Sequence, residues 1–270
     1  MVQVLPLISA LFIAAAAHGD TCGASTLLLA YAHNDYANRR PLLDALELGY
    51  RGAEADVFRV GQELLVGHRR DETQPRNTLE RLYLAPLLAR ARACGYVVPD
   101  STPFLLNIEL KERDRAAFQL LVALLRRYEE LFVAVTRPQP AVQVTLVGWW
   151  PETAVDATSW PEYLRVQMAI DGRSSGAHSR RPVGFVSLDY RKVLRWSGSG
   201  PILQAALDAL ATARRLATTY GVPIRVHHPP AQRGVYEWLV AEGVTLIGSG
   251  DLIRDRAILR LICSSPSRAP

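Results

Sequence analysis

The chain has 270 residues, of which 49% are hydrophobic and 21% are charged. This composition excludes a disordered or fibrous protein and supplies enough apolar residues for one large globular domain. The net charge is +5, but the 31 basic residues are dispersed without a long run, so nucleic-acid binding is not indicated. A mildly positive chain suits a phosphate-bearing substrate or peripheral contact with an anionic membrane.

Residues 1–19 are apolar and carry no charged side chain, and the segment ends at Asp20. The segment is shorter than the ~20 residues that a membrane-spanning helix needs, and Ala17 and Gly19 are small residues typical of cleavage sites. We therefore expect a secretion signal followed by one domain over residues 20–270. Because no Lys or Arg precedes the apolar run, an uncleaved membrane anchor is the alternative.

Apolar runs typical of strands alternate with amphipathic stretches along the rest of the chain. The strand-like runs are TLLLAYAH, GAEADVF, FLLNIELK, VQVTLVGWW, YLRVQMAI, VGFVSLDY, PIRVHH and VTLIGSG. The clearest helical patterns are RRPLLDALELG, NTLERLYLAPLLARARA, RAAFQLLVALLRRYEELF, ILQAALDALATARRLATTYG and GVYEWLVAEG. Eight strands alternating with helices predict a (β/α)8 TIM barrel, whose functional residues lie at the carboxyl ends of the strands.

The segment VFRVGQELLVGH departs from this alternation, because it contains two short extended pieces around Gly61 and Gln62. We expect a hairpin here. Such a hairpin would return the chain, and with it His68, to the mouth of the barrel.

Two carboxylates in GAEADVF indicate a cation site. Glu54 and Asp56 are two residues apart, and side chains at such positions in a strand point to the same face. Oxygen ligands of this kind suit a hard ion such as Mg²⁺ or Ca²⁺, whereas zinc is more often held by His or Cys.

The three cysteines are Cys22, Cys94 and Cys263, and their wide spacing matches no metal-binding motif. One disulfide and one free thiol would be compatible with export, and the sequence leaves the pairing open. Cys94 lies in the apolar helical stretch ARARACGYV, which favours a buried thiol over a nucleophile.

Several of these motifs resemble the superfamily of glycerophosphodiester phosphodiesterases and phosphatidylinositol phospholipase C-like enzymes. HNDY, RPLLDALELGYRGAEADV and ELLVGH are similar to its branch around the altered inheritance of mitochondria protein 6 family. FLLNIELK resembles the third metal strand of the superfamily, and PIRVHHPPAQRGVYEWLVAEGVTLIGSGDL resembles its last two strands with the helix between them. The resemblance implies a TIM barrel of the phospholipase C-like phosphodiesterase type.

The resemblance also implies roles for six residues at matching positions. His33 and His68 would be the catalytic acid and base; we favour His33 as the base, with the reverse order left open. The other positions would bind the phosphate and one divalent ion, Mg²⁺ or Ca²⁺. Lys111 would lie near the phosphate, and the metal ligands would be Glu54, Asp56 and Glu109.

The sequence departs from the common family pattern beside both histidines. HND replaces the usual HRG at His33, and HRRD replaces HD at His68. The arginine that family members place near the phosphate is therefore missing after His33. The candidates to replace it are Arg39, Arg40, Arg69 and Arg70, of which Arg69 is taken as a substrate-binding residue.

Three later segments supply further candidates around the mouth. Trp196 in RWSGSG resembles a family loop beside the substrate. His227 or its neighbour replaces a usual tryptophan, and because adjacent strand residues alternate faces, we expect at least one of His227 and His228 to point away. In GSGD, the segment 248–251 would bind phosphate through backbone amides or form a turn before the last helix.

The predicted function is that of a secreted or periplasmic phosphoric diester hydrolase, acting on a glycerophosphodiester or phospholipid-type substrate. One alternative is a sphingomyelinase D-like lyase that gives a cyclic phosphate. A second is a catalytically silent barrel that binds a headgroup, which the departures from the family pattern admit. Retention of two histidines and three carboxylates favours an enzyme, because a binding protein has no need of an acid and a base.

Overall fold

The computed structural model describes residues 29–99, 102–134, 139–151, 160–170 and 181–264. The predicted signal segment 1–19 and Cys22 lie outside these ranges. Within them, no helix combines the length and the apolar character required to cross a membrane.

The strands form one closed barrel, as the alternation of strand-like and helical patterns predicts. Their bounds are β1 Ala30–Ala32, β2 Gly52–Val60, β3 Glu63–Val66, β4 Phe104–Leu110, β5 Val142–Gly148, β6 Arg165–Ala169, β7 Val183–Asp189, β8 Ile224–His227 and β9 Leu246–Ser249. Each strand of the barrel is parallel to its neighbours, and β1 pairs with both β2 and β9, which closes the ring. The predicted (β/α)8 barrel is confirmed.

The β3 strand lies outside the parallel ring and forms the predicted hairpin with β2. Val60 and Glu63 are the last register pair, and Gly61 in the turn has φ +61°, a conformation that costs glycine little. The Gly67 amide then donates to the Asp56 carbonyl at 3.1 Å. The hairpin thus returns the residue after Gly67, His68, to Asp56 in the middle of β2.

The helices pack around the outside of the barrel. Their bounds are α1 Leu43–Glu47, α2 Ala85–Cys94, α3 Arg115–Arg127, α4 Gln204–Tyr220, α5 Arg233–Ala241 and α6 Leu252–Ser264, and a π-helical turn over Glu80–Leu84 precedes α2. In α3, Phe118, Leu121 and Leu125 recur at helical spacing and are buried, which places one face of this helix on the sheet. Asp114 caps that helix by accepting from the Ala116 amide at 2.8 Å.

Cys94, at the end of α2, is disulfide-bonded. The expectation of a buried thiol at this position was therefore wrong. The apolar pattern of the helix describes how the segment packs, but it carries no information about a sulfur partner that is distant in sequence.

The inside of the barrel is apolar in one layer and polar above it. Tyr31, Leu105, Val147, Phe185 and Leu246 form a small cluster that is separate from the main core between sheet and helices. The buried polar residues of the strands include Glu54, Asp56, Asn107, Thr145, Gln167, Ser187, Asp189 and Arg225. Because many of these side chains line one cavity, the polar layer forms its floor and walls.

The loop after β1 is anchored by Asp35, whose side chain is fully buried. One carboxylate oxygen accepts from the Leu42 amide at 2.5 Å and from the Tyr83 hydroxyl at 3.0 Å. The other accepts from the Asn38 side-chain amide at 3.2 Å. Burial raises the pKa of Asp35 to about 6. The aspartate of the unusual HND motif therefore ties the loop that follows His33 to the π-helical turn.

Replacing Asp35 with alanine should destabilise the fold by about 1–3 kcal/mol, because the Leu42 amide and the Tyr83 hydroxyl would remain buried without an acceptor. Urea unfolding measures this change. Asp208→Ala, on the exposed face of α4, is the matched control and should stay within about 0.5 kcal/mol of the parent. Equal effects of the two substitutions would contradict the structural role of Asp35.

Candidate active site

Three carboxylates meet at the carboxyl ends of β2 and β4. Asp56 is the register partner of Glu109 across the two strands, and Glu54 lies two residues before Asp56 on the same face. One carboxylate oxygen from each residue lies within 4.8 Å of the other two. The spacing of Glu54 and Asp56 therefore predicts their convergence correctly, and Glu109 joins them from the neighbouring strand.

Gly148, at the end of β5, leaves room for the Glu109 side chain. A Cβ at this position would lie 3.2 Å from Glu109 Cγ and 3.3 Å from Oε1. Gly148 also has φ +76°, which other residues rarely adopt. A larger residue would therefore strain the backbone and displace the carboxylate.

Two cations face the three carboxylates. Lys111 Nζ lies 3.0 Å from Asp56 Oδ2 and 3.5 Å from Glu109 Oε1. The Arg225 guanidinium, only 1% exposed, donates to the Glu54 carboxylate. The guanidinium carbon also lies 4.7 Å from the centre of the Tyr31 ring and 5.1 Å from that of Phe185, which places the cation over aromatic faces.

Arg225 was not predicted from the sequence. The arginine in the cavity wall comes from β8, not from the segments after His33 and His68 in which the four candidates were named. A signal was available, because Arg225 is a charged residue inside the apolar run PIRVHH and stands two residues before His227. This spacing places both side chains on one face of the strand.

The electrostatics of the cluster fit a divalent cation. Burial raises the pKa of Glu54, and burial followed by the Asp56 charge raises that of Glu109. Within the described residues, Asp56 Oδ1 is buried and has no hydrogen-bond partner. A donor set of oxygens with one orphaned buried atom suits Mg²⁺ or Ca²⁺. Glu54, Asp56 and Glu109 are the residues that would hold such an ion.

His33 lies on the buried side of the carboxylate cluster. Its amide donates to the Ser249 carbonyl at 2.9 Å, which fixes the residue directly after β1. Its side chain is 13% exposed, and Nε2 lies 3.9 Å from Glu54 Oε1. Burial, followed by the nearby Arg225 charge, lowers the pKa of His33 to about 2. The imidazole is therefore neutral in the cation-free site.

His68 lies at the exposed edge of the same cluster, beside Asp56. Its side chain is 56% exposed, with Nδ1 3.4 Å from Asp56 Oδ2 and 3.1 Å from the Tyr36 hydroxyl. That hydroxyl donates to Asp56 Oδ2 at 2.7 Å, so its oxygen accepts from the Nδ1–H of His68. Since Nδ1 of His68 makes this hydrogen bond, Nε2 is the ring nitrogen that would interact with a ligand. Tyr36, the last residue of HNDY, was not predicted as a site residue.

The far wall of the cavity comes from β7 and β8. Asp189, Lys192, His227 and His228 all line it, which contradicts the expectation that one of the two histidines points away. The β8 strand ends at His227, and His228 has φ +60°. This left-handed residue breaks the alternation of faces and returns its ring to the same side.

Two residues predicted to bind substrate are not brought to the cavity. Arg69 is exposed and pairs with Asp71 at 2.5 Å, with Glu72 3.5 Å away. Trp196 packs against Trp238 with ring centres 5.2 Å apart, and its indole nitrogen donates to the Gly200 carbonyl at 3.0 Å. These contacts hold the side chains of Arg69 and Trp196 away from the cavity.

Two of the other arginine candidates, Arg40 and Arg70, and the GSGD segment also have structural partners. Arg40 pairs with Asp44 at 2.8 Å, and Arg70 pairs with Glu112. In GSGD, the first two residues end β9 and the last two form the bend before α6, and the Ser249 hydroxyl donates to Asp255 at 2.8 Å.

The comparisons with known proteins agree with the motifs. Residues 26–95 match the AIM6-like phosphodiesterase domain. Altered inheritance of mitochondria protein 6 from Eremothecium gossypii is 48% identical over 59 residues, which are 21% of this chain and 15% of that protein. The protein of the same name from Saccharomyces cerevisiae is 40% identical over 60 residues, or 22% of this chain and 15% of its own length. The resemblance to this branch is confirmed over the matched segment, which contains both histidines and the β2 carboxylates.

A solved structure matches over most of the chain. The crystal structure of glycerophosphodiester phosphodiesterase from Agrobacterium tumefaciens aligns with a TM-score of 0.52 and 12% identity. The alignment covers 87% of this chain and 99% of that one. At this identity the match shows the shared barrel fold alone.

Replacing Arg225 with methionine should destabilise the protein by about 3–5 kcal/mol, because Glu54 would be left as an unpaired buried charge. The loss should grow as the pH rises, since protonation of Glu54 relieves the cost at low pH and ionisation restores it. Urea unfolding in the presence of a chelator, at several pH values, measures both effects.

Arg70→Met is the matched control, because it breaks an exposed pair with Glu112 and should cost only about 0–1 kcal/mol. Adding Glu54→Gln to Arg225→Met should recover part of the stability. An Arg225→Met loss that is no larger than the control, or that does not change with pH, would contradict the buried pairing.

Proposed function

We propose that this chain is a metal-dependent phosphoric diester hydrolase that acts on a glycerophosphodiester or phospholipid-type substrate. The observation that carries the proposal is that His33 and His68 lie beside two different carboxylates, Glu54 and Asp56, of a cluster that contains an orphaned buried oxygen. The match of residues 26–95 to a phosphodiesterase domain supports the same reaction class.

Phosphodiester hydrolysis requires charge neutralisation, a base and an acid. A divalent ion held by Glu54, Asp56 and Glu109 would supply positive charge for the nonbridging phosphate oxygens. Lys111 lies beside two of these carboxylates, and it would add a second positive charge at the phosphate. The buried Arg225 keeps Glu54 in position and offsets its charge.

His33 is assigned as the general base. A base must begin the reaction neutral, and burial together with Arg225 lowers the pKa of His33 enough to keep it so. It would take the proton of the attacking hydroxyl, which is either water or an adjacent substrate hydroxyl. Its fixed backbone position after β1 would hold Nε2 in one place during this transfer.

His68 is assigned as the general acid. In the imidazolium form both ring nitrogens donate hydrogen bonds, so Nδ1 can remain on Tyr36 while Nε2 gives its proton to the leaving alkoxide. The exposure of His68 at the rim places that event where the released alcohol can leave for solvent. Tyr36 would orient the ring for this step.

The cavity favours a headgroup over a lipid chain. Its volume is about 260 Å³, and most of its lining residues are polar, including Gln167 of β6 and Ser187 of β7. Such groups form hydrogen bonds with the hydroxyls of a glycerol or sugar. A cavity of this volume would hold a headgroup but not a long acyl chain, so a lipid substrate would keep its chains outside it.

Activity should be measured with the purified full chain on bis(p-nitrophenyl) phosphate and on a panel of glycerophosphodiesters, with Mg²⁺, Ca²⁺ or a chelator. We expect hydrolysis that requires the cation. His33→Ala and His68→Ala should each lower kcat by about 10²-fold to 10⁴-fold, the usual contribution of one acid or base. Arg92→Ala, which removes an exposed ion pair with Glu130 on the outside of the barrel, is the control and should leave kcat unchanged.

The products identify the reaction. Phosphorus NMR separates a ring-opened phosphomonoester from a cyclic phosphate, which would indicate the lyase alternative. A folded chain that turns over no diester with any cation would overturn the proposal and favour the silent headgroup-binding barrel.

A further inference from the structure

A second cluster of potential metal ligands lies in the wall of the cavity formed by β7 and β8. Asp189, His227 and His228 each place one ligand atom within 4.8 Å of the other two. We propose that these three residues bind a second divalent ion, from the borderline class of which Zn²⁺ is the most common member. This site is separate from the three carboxylates on β2 and β4, and it does not depend on the proposed hydrolase activity.

The strand register brings two of the ligands together. Asp189 and His227 are Cα partners at the carboxyl ends of β7 and β8, so their side chains project from neighbouring positions. His228 would point away in a regular strand, but its φ of +60° turns the ring into the cavity. Non-glycine residues in this conformation are uncommon and concentrate at functional sites.

The distances suit a metal better than they suit hydrogen bonds. His227 Nε2 lies 3.7 Å from Asp189 Oδ2, and His228 Nδ1 lies 3.5 Å from Asp189 Oδ1. Within the described part of the chain, His228 Nδ1 is buried and forms no hydrogen bond. Ligands of tetrahedral zinc are roughly 3.3 Å apart. Shifts of about 1.5 Å or less would therefore complete the site.

Neighbouring groups both support and oppose the ion. Ser187 Oγ lies 3.5 Å from His227 Nδ1, so it can fix the ring with Nε2 facing the cluster. The Arg191 amide donates to Asp189 Oδ1 at 3.1 Å. Lys192 Nζ lies 2.9 Å from Asp189 Oδ2 and is the competing cation. Because the Lys192 side chain is 40% exposed, it can move to solvent when an ion binds.

The two sites should prefer different ions, because their ligand atoms differ. Two imidazoles and one carboxylate suit Zn²⁺ and related first-row ions, whereas Mg²⁺ and Ca²⁺ prefer oxygen ligands. An excess of Mg²⁺ should therefore occupy the carboxylate cluster without displacing Zn²⁺ from the histidine site. This difference makes the proposal testable in the presence of both ions.

The test is a calorimetric titration of the full chain, prepared without a histidine tag, with Zn²⁺ in a large excess of Mg²⁺. We expect one Zn²⁺ per chain, with two imidazole ligands in the zinc X-ray absorption spectrum. His227→Ala and His228→Asn should abolish this binding; asparagine is chosen because it tolerates a positive φ while lacking the imidazole. Lys192→Ala should strengthen binding, since it removes the competing cation.

His68→Ala is the control, because it removes an exposed cavity histidine outside the cluster and should leave Zn²⁺ binding unchanged. Near-UV circular dichroism verifies that each variant is folded. Absence of Zn²⁺ binding to the folded parent, or stoichiometric binding that survives both His227→Ala and His228→Asn, would overturn the proposal. The readout is binding alone, so a failure of diesterase activity would not affect it.

Discussion

A carboxylate inside a barrel is stable only when another charge or a bound ion compensates it, and Arg225 provides the first compensation here. Its guanidinium is buried between Glu54 and two aromatic rings, while Lys111 neutralises charge at Asp56 and Glu109. Two cations against three carboxylates leave an excess of negative charge when all three are ionised. A cation bound by these carboxylates would therefore stabilise the barrel.

His33 lies between the carboxylates of β2 and the two histidines at the end of β8. Its Nε2 lies 3.9 Å from Glu54 on one side, and its ring centre lies 4.7 Å from that of His228 on the other. Burial, followed by the Arg225 charge, lowers the pKa of His33 and keeps it neutral, so the arginine that compensates Glu54 also contributes to the neutral state of this histidine. Arg225 therefore contributes both to the stability of the barrel and to the proposed role of His33 as a base.

The features that follow from local pattern were predictable from the sequence, and those that depend on packing across the barrel were not. Alternating apolar runs predict the strands, and the i, i+2 spacing predicts the convergence of Glu54 and Asp56. Arg225 was missed because its partner lies 171 positions away along the chain. The orientation of His228 depends on one backbone angle, which a strand pattern cannot encode. Arg69 and Trp196 were assigned by resemblance, but nearby partners hold them outside the cavity.

The most direct test of the central claim is a crystal structure of the chain soaked with Mn²⁺, with anomalous scattering used to locate the ion. Our account predicts an anomalous peak within about 2.0–2.6 Å of oxygens from Glu54, Asp56 and Glu109. It also predicts that the orphaned Asp56 Oδ1 becomes a ligand and that Lys111 moves away from Asp56. Saturating Mn²⁺ with no peak at these carboxylates, and Lys111 still paired with Asp56, would contradict it.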